Sequence, residues 1–231
     1  MADATLTYFR GRGRAETTRW MLAVNGIDFE QVALATPGDL AALRTSGKLP
    51  FDQIPLLEID GLCLSQSGAM IRYLARLGDF YGDKDIDAVW CDMVAGAAAD
   101  FAETAMQAAF QPTAAVAAAN LRRSFAKFGP RFEARLIAND GQHMAGTRLS
   151  FADVVLAEAL TAYLERVPDI LAETPGLADL QARVTAHPGI AAYLASDARW
   201  PIPGDRYVID VARVLQRALP PHMPEPERFV V

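Results

Sequence analysis

The chain has 231 residues and carries 22 lysines and arginines against 28 aspartates and glutamates, a formal net charge of −6. This length is enough for one or two domains with a buried core. No apolar run approaches the roughly 18 residues that a membrane span requires, and the acidic balance disfavours a general nucleic-acid binder. The start of the chain shows no secretory signal, so we expect a cytoplasmic protein with neither membrane nor nucleic acid as partner.

Cysteine and histidine are too few for a metal centre or a disulfide framework. Cys63, Cys91 and the three histidines show no zinc-ligand spacing, so the sequence predicts no metal. Both cysteines fall inside predicted secondary structure, where we expect them to be buried. The segment from Gly11 to Glu16 has glutamate where a GxGxxG motif needs its third glycine, and no GxxxxGK[ST] motif occurs, so no nucleotide cofactor is expected.

The first 78 residues predict strands and helices in the order β-α-β-α-β-β-α. Helical spacing of apolar residues begins at Arg14, after a short strand, and ends at Gly26. Asp60-Gly61 separates two short apolar runs, which is typical of a type I′ β-hairpin because both turn positions need positive φ. The expected strands cover 5–9, 29–34, 56–59 and 62–65, and further helices cover 37–43 and 67–77.

The sequence predicts a linker at 79–85, and beyond it the pattern is typical of helices almost throughout residues 86–219. Ser150, with Asp153 three residues later, predicts an N-cap and the start of a buried helix. Gly129-Pro130 predicts a bend in an earlier helix. We therefore expect domains at 1–78 and 86–219, followed by a Pro-rich tail at 220–231. The helices expected in the second domain cover 86–110, 114–138, 151–166, 176–186, 189–196 and 207–219.

Three local patterns of the first domain are candidates for binding or catalysis. Tyr8 ends the first strand, and Arg14 starts the following helix, so both belong to one rim of a cleft. Pro55 precedes a strand and is compatible with a cis peptide bond after Ile54. Gln66-Ser67 begins a helix, where free backbone N–H groups attract a carboxylate. Taken alone, each pattern is more typical of an ordinary feature: a strand tyrosine, a trans proline or a simple N-cap.

Together and in order, these motifs resemble the cytosolic glutathione transferases, most closely the alpha class. The resemblance rests on YFRGRGRAE at 8–16, TRW at 18–20, QIPLLEIDG at 53–61 and QS at 66–67. Asp100 and the capping motif at 149–153 also fit the helical second domain of that family. The resemblance implies a fold of α/β plus all-α class, with a thioredoxin-like glutathione-binding domain followed by an all-helical domain that binds the electrophile.

The resemblance also implies a role for individual residues around glutathione. Tyr8 would donate a hydrogen bond to the glutathione sulfur and favour its thiolate, and Arg14 would add a positive charge beside it. Arg12 and Arg19 would be structural ion-pair partners of acids such as Glu16. The residues implied to hold glutathione are Arg44, Gln53, Ile54, Pro55, Gln66 and Ser67, together with Asp100 of the partner subunit and Lys127 of the partner subunit, where the family usually has arginine.

A homodimer and an electrophile pocket follow from the same resemblance. Phe51 matches the aromatic residue that the family inserts between helices of the partner subunit, and an apolar ring in a polar loop needs burial. Gly204 stands where the family has a larger side chain before the last helix, which implies a roomier or more mobile lid. The residues implied to line the electrophile pocket are Phe9, Arg10, Met106, Phe110 and Ile209.

Three functions remain open from the sequence. In the first, a glutathione thiolate stabilised by Tyr8 attacks a hydrophobic electrophile. In the second, the same thiolate acts as a base that moves a double bond in a ketosteroid, and glutathione is regenerated. In the third, the protein binds apolar ligands without catalysis. Tyr8 and Arg14 favour the first two, because a pure carrier has no use for a thiolate.

Overall fold

A computed structural model of the protein describes residues 3–139 and 141–223. Within these residues four strands form one mixed sheet in the order β2-β1-β3-β4, with β2 parallel to β1 and the other two neighbouring pairs antiparallel. The order β-α-β-α-β-β-α predicted for the first 78 residues is confirmed over the residues that the structure describes. The strands are β1 (Ala4–Phe9), β2 (Phe29–Leu34), β3 (Leu56–Ile59) and β4 (Leu62–Ser65).

Three helices accompany the sheet. The helical spacing that begins at Arg14 starts as a 3₁₀ turn, Gly13–Ala15, and becomes α-helical at Glu16. A Thr36 N-cap and a proline in the first turn begin the second helix, because the threonine hydroxyl accepts the Asp39 N–H and proline has no N–H to satisfy. The helices are α1 (Glu16–Val24), α2 (Pro37–Thr45) and α3 (Ser67–Leu77).

The predicted turn of the β3–β4 hairpin is confirmed, whereas the sequence left the Ile54–Pro55 bond open between cis and trans. Asp60 and Gly61 have φ of 52° and 76°, so both turn residues of the β3–β4 hairpin are left-handed. The Ile54–Pro55 peptide bond is cis.

Beyond α3 the secondary structure of the described residues is helical, with bounds that differ slightly from the expected ones. A 3₁₀ turn, Gln107–Phe110, replaces the end of the first long helix, and the second runs unbroken through Pro130. The last helix ends four residues early, because Gln216 adopts a left-handed φ of 51°. The helices are α4 (Asp85–Met106), α5 (Ala114–Ala138), α6 (Phe151–Leu164), α7 (Pro175–Thr185), α8 (Pro188–Ala195) and α9 (Asp205–Leu215).

The predicted start of α6 is confirmed in detail. Ser150 and Asp153 form a reciprocal capping box, with the Ser150 N–H 2.7 Å from Asp153 Oδ2. The second carboxylate oxygen accepts the Met144 N–H at 2.6 Å. The cap therefore fixes both the helix and the loop before it, and α6 forms the centre of the helical domain.

A buried charge network joins the two domains. Glu16 at the start of α1 accepts hydrogen bonds from Arg19 at 3.0 Å and from the Tyr193 hydroxyl of α8 at 3.0 Å. The expected ion pair of Arg19 is thus confirmed, and its side chain is only 2% exposed. At the other end of α1, a Cβ on Gly189 of α8 would overlap the Ala23 carbonyl oxygen. Helix α1 is therefore held against the helical domain along its length.

One expectation about the cysteines is wrong. Cys91 is buried in α4, but Cys63 is exposed on β4. This strand lies at the edge of the sheet, and its first two residues are exposed whereas its last is buried. The Pro-rich tail was expected from residue 220, and its part from 224 onward lies outside the described residues. No helix in the described ranges is both long and apolar enough to cross a membrane.

Candidate active site

A cavity lies between the two domains. From the first domain it is lined by the turn that contains Gly13 and by the start of α3, and from the second by α4, α6 and Tyr207 of α9. Its α4 wall consists of small side chains, which leave room for a ligand. These residues are Ala95, Gly96, Ala98, Ala99, Ala102 and Ala105.

Tyr8 is the second-last residue of β1; it does not line this cavity itself, but its hydroxyl lies next to Gly13, which does. Its side chain is 7% exposed, and its ring packs edge-on against Phe9 with centroids 4.9 Å apart. The phenol oxygen accepts a hydrogen bond from the Arg14 backbone N–H at 3.2 Å. Gly13, which has a φ of +43°, lines the cavity next to this oxygen, and a Cβ there would lie 2.7 Å from it. The strand end and the 3₁₀ turn thus position the hydroxyl between them.

The Arg14 side chain reaches the opposite wall. Its guanidinium is 2.7 Å from Glu103 of α4, and both side chains are about half exposed. The sequence did not suggest this partner. Arg14 therefore contributes its backbone to Tyr8 and its charge to an ion pair that joins the first domain to α4.

The residues expected to hold the peptide part of glutathione lie at one edge of the first domain. Gln66 donates a hydrogen bond to Gln53 at 2.5 Å, just before α3. Gln66 has a φ of 69°, a left-handed conformation that is uncommon for this residue type. Ser67, the first residue of α3, lines the cavity. The structure thus brings Gln53, Gln66 and Ser67 together near the cis peptide bond of Ile54 and Pro55.

Other predicted glutathione residues lie further away. Arg44 forms an exposed ion pair with Asp52, at 2.7 Å. Asp100 and Lys127 line a separate groove between α4 and α5, and the Lys127 ammonium lies 4.5 Å from the centre of the Phe128 ring. This arrangement does not bring Asp100 or Lys127 into the cavity of their own chain.

The residues expected to line the electrophile pocket occupy different positions. Met106 lines the cavity. Phe110 packs edge-on against Tyr207, with ring centroids 6.2 Å apart, and so supports a lining residue. Phe9 and Ile209 are buried in the protein interior, and Arg10 is exposed.

Several polar residues that line the cavity were not identified from the sequence, among them Glu158 and Tyr207. A glutamate in the middle of a buried, almost wholly apolar helix is a signal that could have identified the first. Tyr207 gives no comparable signal, because its position depends on how α9 packs against the first domain.

Glu158 has an unusual protonation state. Its carboxylate accepts a hydrogen bond from Thr17 at 3.0 Å. Burial, followed by the negative charge of Glu16, raises the pKa of Glu158 to about 8. A protonated carboxyl group therefore faces the cavity at neutral pH.

Arg12 also lines the cavity, and it is fixed by contacts with the second domain. Arg12 donates to the Trp200 carbonyl at 2.7 Å and pairs with Glu165, so its charge is held by the structure. Among the described residues no group of three or more histidine, cysteine, aspartate or glutamate side chains has a metal-binding arrangement.

Comparison with known proteins gives consistent matches along the chain. The model for the glutathione S-transferase N-terminal domain matches residues 4–76, and that for the glutathione S-transferase C-terminal domain matches residues 99–197. Glutathione S-transferase A1 of Bos taurus is 35% identical over 212 residues, which cover 90% of this chain and 96% of that protein. Glutathione S-transferase alpha-3 of Rattus norvegicus is 36% identical over 192 residues, covering 82% and 87%.

Solved structures agree with this assignment. The chain resembles NaGST-2 with a TM-score of 0.75 and 27% identity, covering 85% of this chain and 98% of that one. The glutathione S-transferase of Ascaris lumbricoides gives a TM-score of 0.67 and 28% identity, covering 84% and 96%. Matches to both domains, and to curated relatives over most of their length, show that the chain belongs to the glutathione S-transferase family.

Proposed function

We propose that the protein transfers glutathione to hydrophobic electrophiles and that Tyr8 stabilises the attacking thiolate. The observation that carries this proposal is the Tyr8 hydroxyl, held beside an interdomain cavity by the Arg14 backbone N–H. Because the phenol oxygen accepts that hydrogen bond, its own proton remains available to the glutathione sulfur. The relatives are named glutathione S-transferases, so glutathione is the expected substrate.

A single hydrogen bond from Tyr8 is strong enough to lower the pKa of the glutathione thiol by the amount that activation needs. A free thiol has a pKa of about 8.5, and lowering it by about two units requires roughly 2.7 kcal/mol of preferential thiolate stabilisation. A hydrogen bond to a charged acceptor contributes about 1.5–3 kcal/mol. Tyr8 can therefore supply most of the activation, and binding both substrates in one cavity supplies their orientation.

We assign the binding of glutathione to the edge of the first domain. Ser67 and the backbone N–H groups at the start of α3 would hold the γ-glutamyl carboxylate. Gln53, Gln66 and the backbone at Ile54 and Pro55 would hold the peptide part. Arg44 would bind the glycyl carboxylate, and its exposed pair with Asp52 is weak enough to exchange for one.

The cavity wall supports an apolar electrophile. The small side chains of α4 give it space, and Met106 supplies an adaptable apolar surface. Phe110 would act through Tyr207, against which it packs. The relatives give no support to the two alternative functions from the sequence, isomerisation and non-catalytic binding. The cytoplasmic localisation of the protein stays a prediction.

The reaction type is tested by the mass of the product. We expect the purified protein, given glutathione and 1-chloro-2,4-dinitrobenzene, to yield the glutathione adduct faster than the uncatalysed reaction, as measured by mass spectrometry. A parallel sample receives an unsaturated ketosteroid with glutathione. An isomer of unchanged mass, without adduct in the first sample, would favour the isomerase. Turnover of neither substrate, with the apolar compounds bound, would favour the carrier.

We further propose a homodimer in which Phe51 inserts into the partner subunit. Phe51 is 65% exposed, which is unusual for a phenylalanine, and Met93 on α4 is also exposed. Asp100 and Lys127, which the resemblance places at the partner's glutathione, share the groove between α4 and α5. One solved relative, Na-GST-3 of Necator americanus, is described as monomeric and has 25% identity and a TM-score of 0.72, covering 83% of this chain and 95% of that one. The dimer therefore needs a direct test.

Phe51→Ala is expected to weaken the dimer by at least about 100-fold. Burying a phenylalanine side chain contributes about 1.5–3 kcal/mol, and a symmetric dimer buries two. Sedimentation velocity over a concentration series measures the change. Ile137→Ala is the matched control, because Ile137 is equally exposed but lines a different groove. A wild-type monomer, or a variant that dimerises like wild type, would contradict the assignment.

A further inference from the structure

The last helix brings a second phenol to Tyr8. Tyr207 of α9 lies over the turn that follows β1, and a Cβ on Gly11 would overlap its ring. A Cβ on Gly13 would lie 2.6 Å from the Tyr207 oxygen and 2.7 Å from the Tyr8 oxygen. Glycine at position 11 therefore leaves room for the Tyr207 ring, and glycine at position 13 leaves room beside both hydroxyl groups.

The hydrogen of Tyr207 is retained. Burial raises the pKa of Tyr207, and the charge of an ionised Tyr8 and a hydrogen bond to Tyr8 raise it further. The positive charges of Arg19 and Arg14 oppose this shift without reversing it. A Tyr207 hydroxyl that keeps its hydrogen is able to donate it to the Tyr8 oxygen.

The direction of this hydrogen bond matters for Tyr8. Its oxygen already accepts the Arg14 backbone N–H at 3.2 Å. A second bond, accepted from Tyr207, would stabilise the negative charge that develops on this oxygen when Tyr8 shares its proton with a neighbouring sulfur. A chain of donors then runs from Tyr207 through Tyr8 toward the thiolate.

We propose that Tyr207 is a positioning residue for thiol activation, which orients the Tyr8 hydroxyl and strengthens it as a donor to the glutathione sulfur. This inference rests on the proposed function. It also assigns a role to α9, because the Tyr207 hydroxyl reaches Tyr8 only when this helix packs against the first domain. The ring is held there by its edge-on contact with Phe110.

The test is Tyr207→Phe, which keeps the ring and removes the hydroxyl. We expect the pKa of the bound glutathione thiol, titrated by thiolate absorbance, to rise by about half to one unit, since a single neutral hydrogen bond is lost. At a pH below the thiol pKa this is a three- to tenfold smaller thiolate fraction. The ionisation of Tyr8 in the glutathione-free protein, followed by phenolate absorbance, should shift upward as well.

A double-mutant cycle separates this role from packing. In a Tyr8→Phe background, Tyr207→Phe should leave the thiol pKa unchanged, because its effect passes through Tyr8. If Tyr207→Phe alters only the KM for the electrophile and neither titration, the inference is overturned while the proposed function stands. If the wild-type protein does not bind glutathione, the proposed function fails, and an unshifted phenolate titration of Tyr8 in Tyr207→Phe would then overturn the inference separately.

Discussion

Tyr8→Phe is expected to raise the pKa of the bound glutathione thiol by about one to two units and to lower kcat/KM about 10- to 100-fold at neutral pH. The substitution removes the hydroxyl that is held by Arg14 beside the cavity. The range follows from the roughly 1.5–3 kcal/mol contributed by a hydrogen bond to a charged acceptor. Thiolate absorbance gives the pKa, and steady-state kinetics at several pH values give the rate.

The control for Tyr8 comes from the same domain. The Tyr73 hydroxyl donates to Asp60 at 2.6 Å on the exposed side of α3, away from the cavity. Tyr73→Phe should therefore change neither the thiol pKa nor the rate. A thiol pKa that is equal in Tyr8→Phe and wild type would remove Tyr8 from the mechanism. A raised thiol pKa with an unchanged rate would show that thiolate formation does not limit turnover.

Glu158→Gln is expected to abolish a strong pH dependence of stability. The pKa of Glu158 is raised from 4.5 to about 8 in the folded protein, so between these values the folded state binds one proton more than the unfolded state. Wild-type stability should then fall as pH rises, by about 1.4 kcal/mol per unit and by up to about 4 kcal/mol between pH 5 and 8. Glutamine remains neutral throughout and can still accept the Thr17 hydrogen bond.

Urea unfolding at several pH values measures this difference. The gap between Glu158→Gln and wild type should widen steadily toward pH 8, in favour of the variant. Glu173→Gln is the matched control, because Glu173 is exposed and should leave the slope unchanged. Parallel pH profiles for wild type and Glu158→Gln would show that Glu158 is ionised at neutral pH. A protonated Glu158 also has a benefit for catalysis, since a carboxylate facing the cavity would repel a thiolate there.

The features that sequence reasoning recovered are those encoded locally. The Asp60-Gly61 turn and the capping box of Ser150 depend on residues close together in the chain, whereas the sequence did not decide between cis and trans at Pro55. The early end of α9 was missed because Gln216 takes a left-handed conformation that favours glycine. Strand pattern alone also did not show that Cys63 lies on an edge strand.

The residues of the site also fall into those that local sequence identifies and those that only tertiary packing brings together. Tyr8 and Arg14 lie six residues apart and could be identified together. The Arg14–Glu103 pair and the Tyr8–Tyr207 contact depend on how the helical domain packs against the sheet domain. The high pKa of Glu158 depends on burial and on Glu16 from another helix. Such effects follow from tertiary packing, which periodicity and capping motifs do not specify.

The close approach of α8 to α1 limits how this protein can recombine with its relatives. A Cβ on Gly189 would overlap the Ala23 carbonyl oxygen, and Tyr193 one turn later supplies a hydrogen bond to Glu16. A chimaera that joins this sheet domain to a foreign helical domain must therefore keep glycine and tyrosine at these positions. The segment 78–84, which connects α3 to α4, is a convenient place to join the two parts, but their compatibility depends on the contact between α1 and α8.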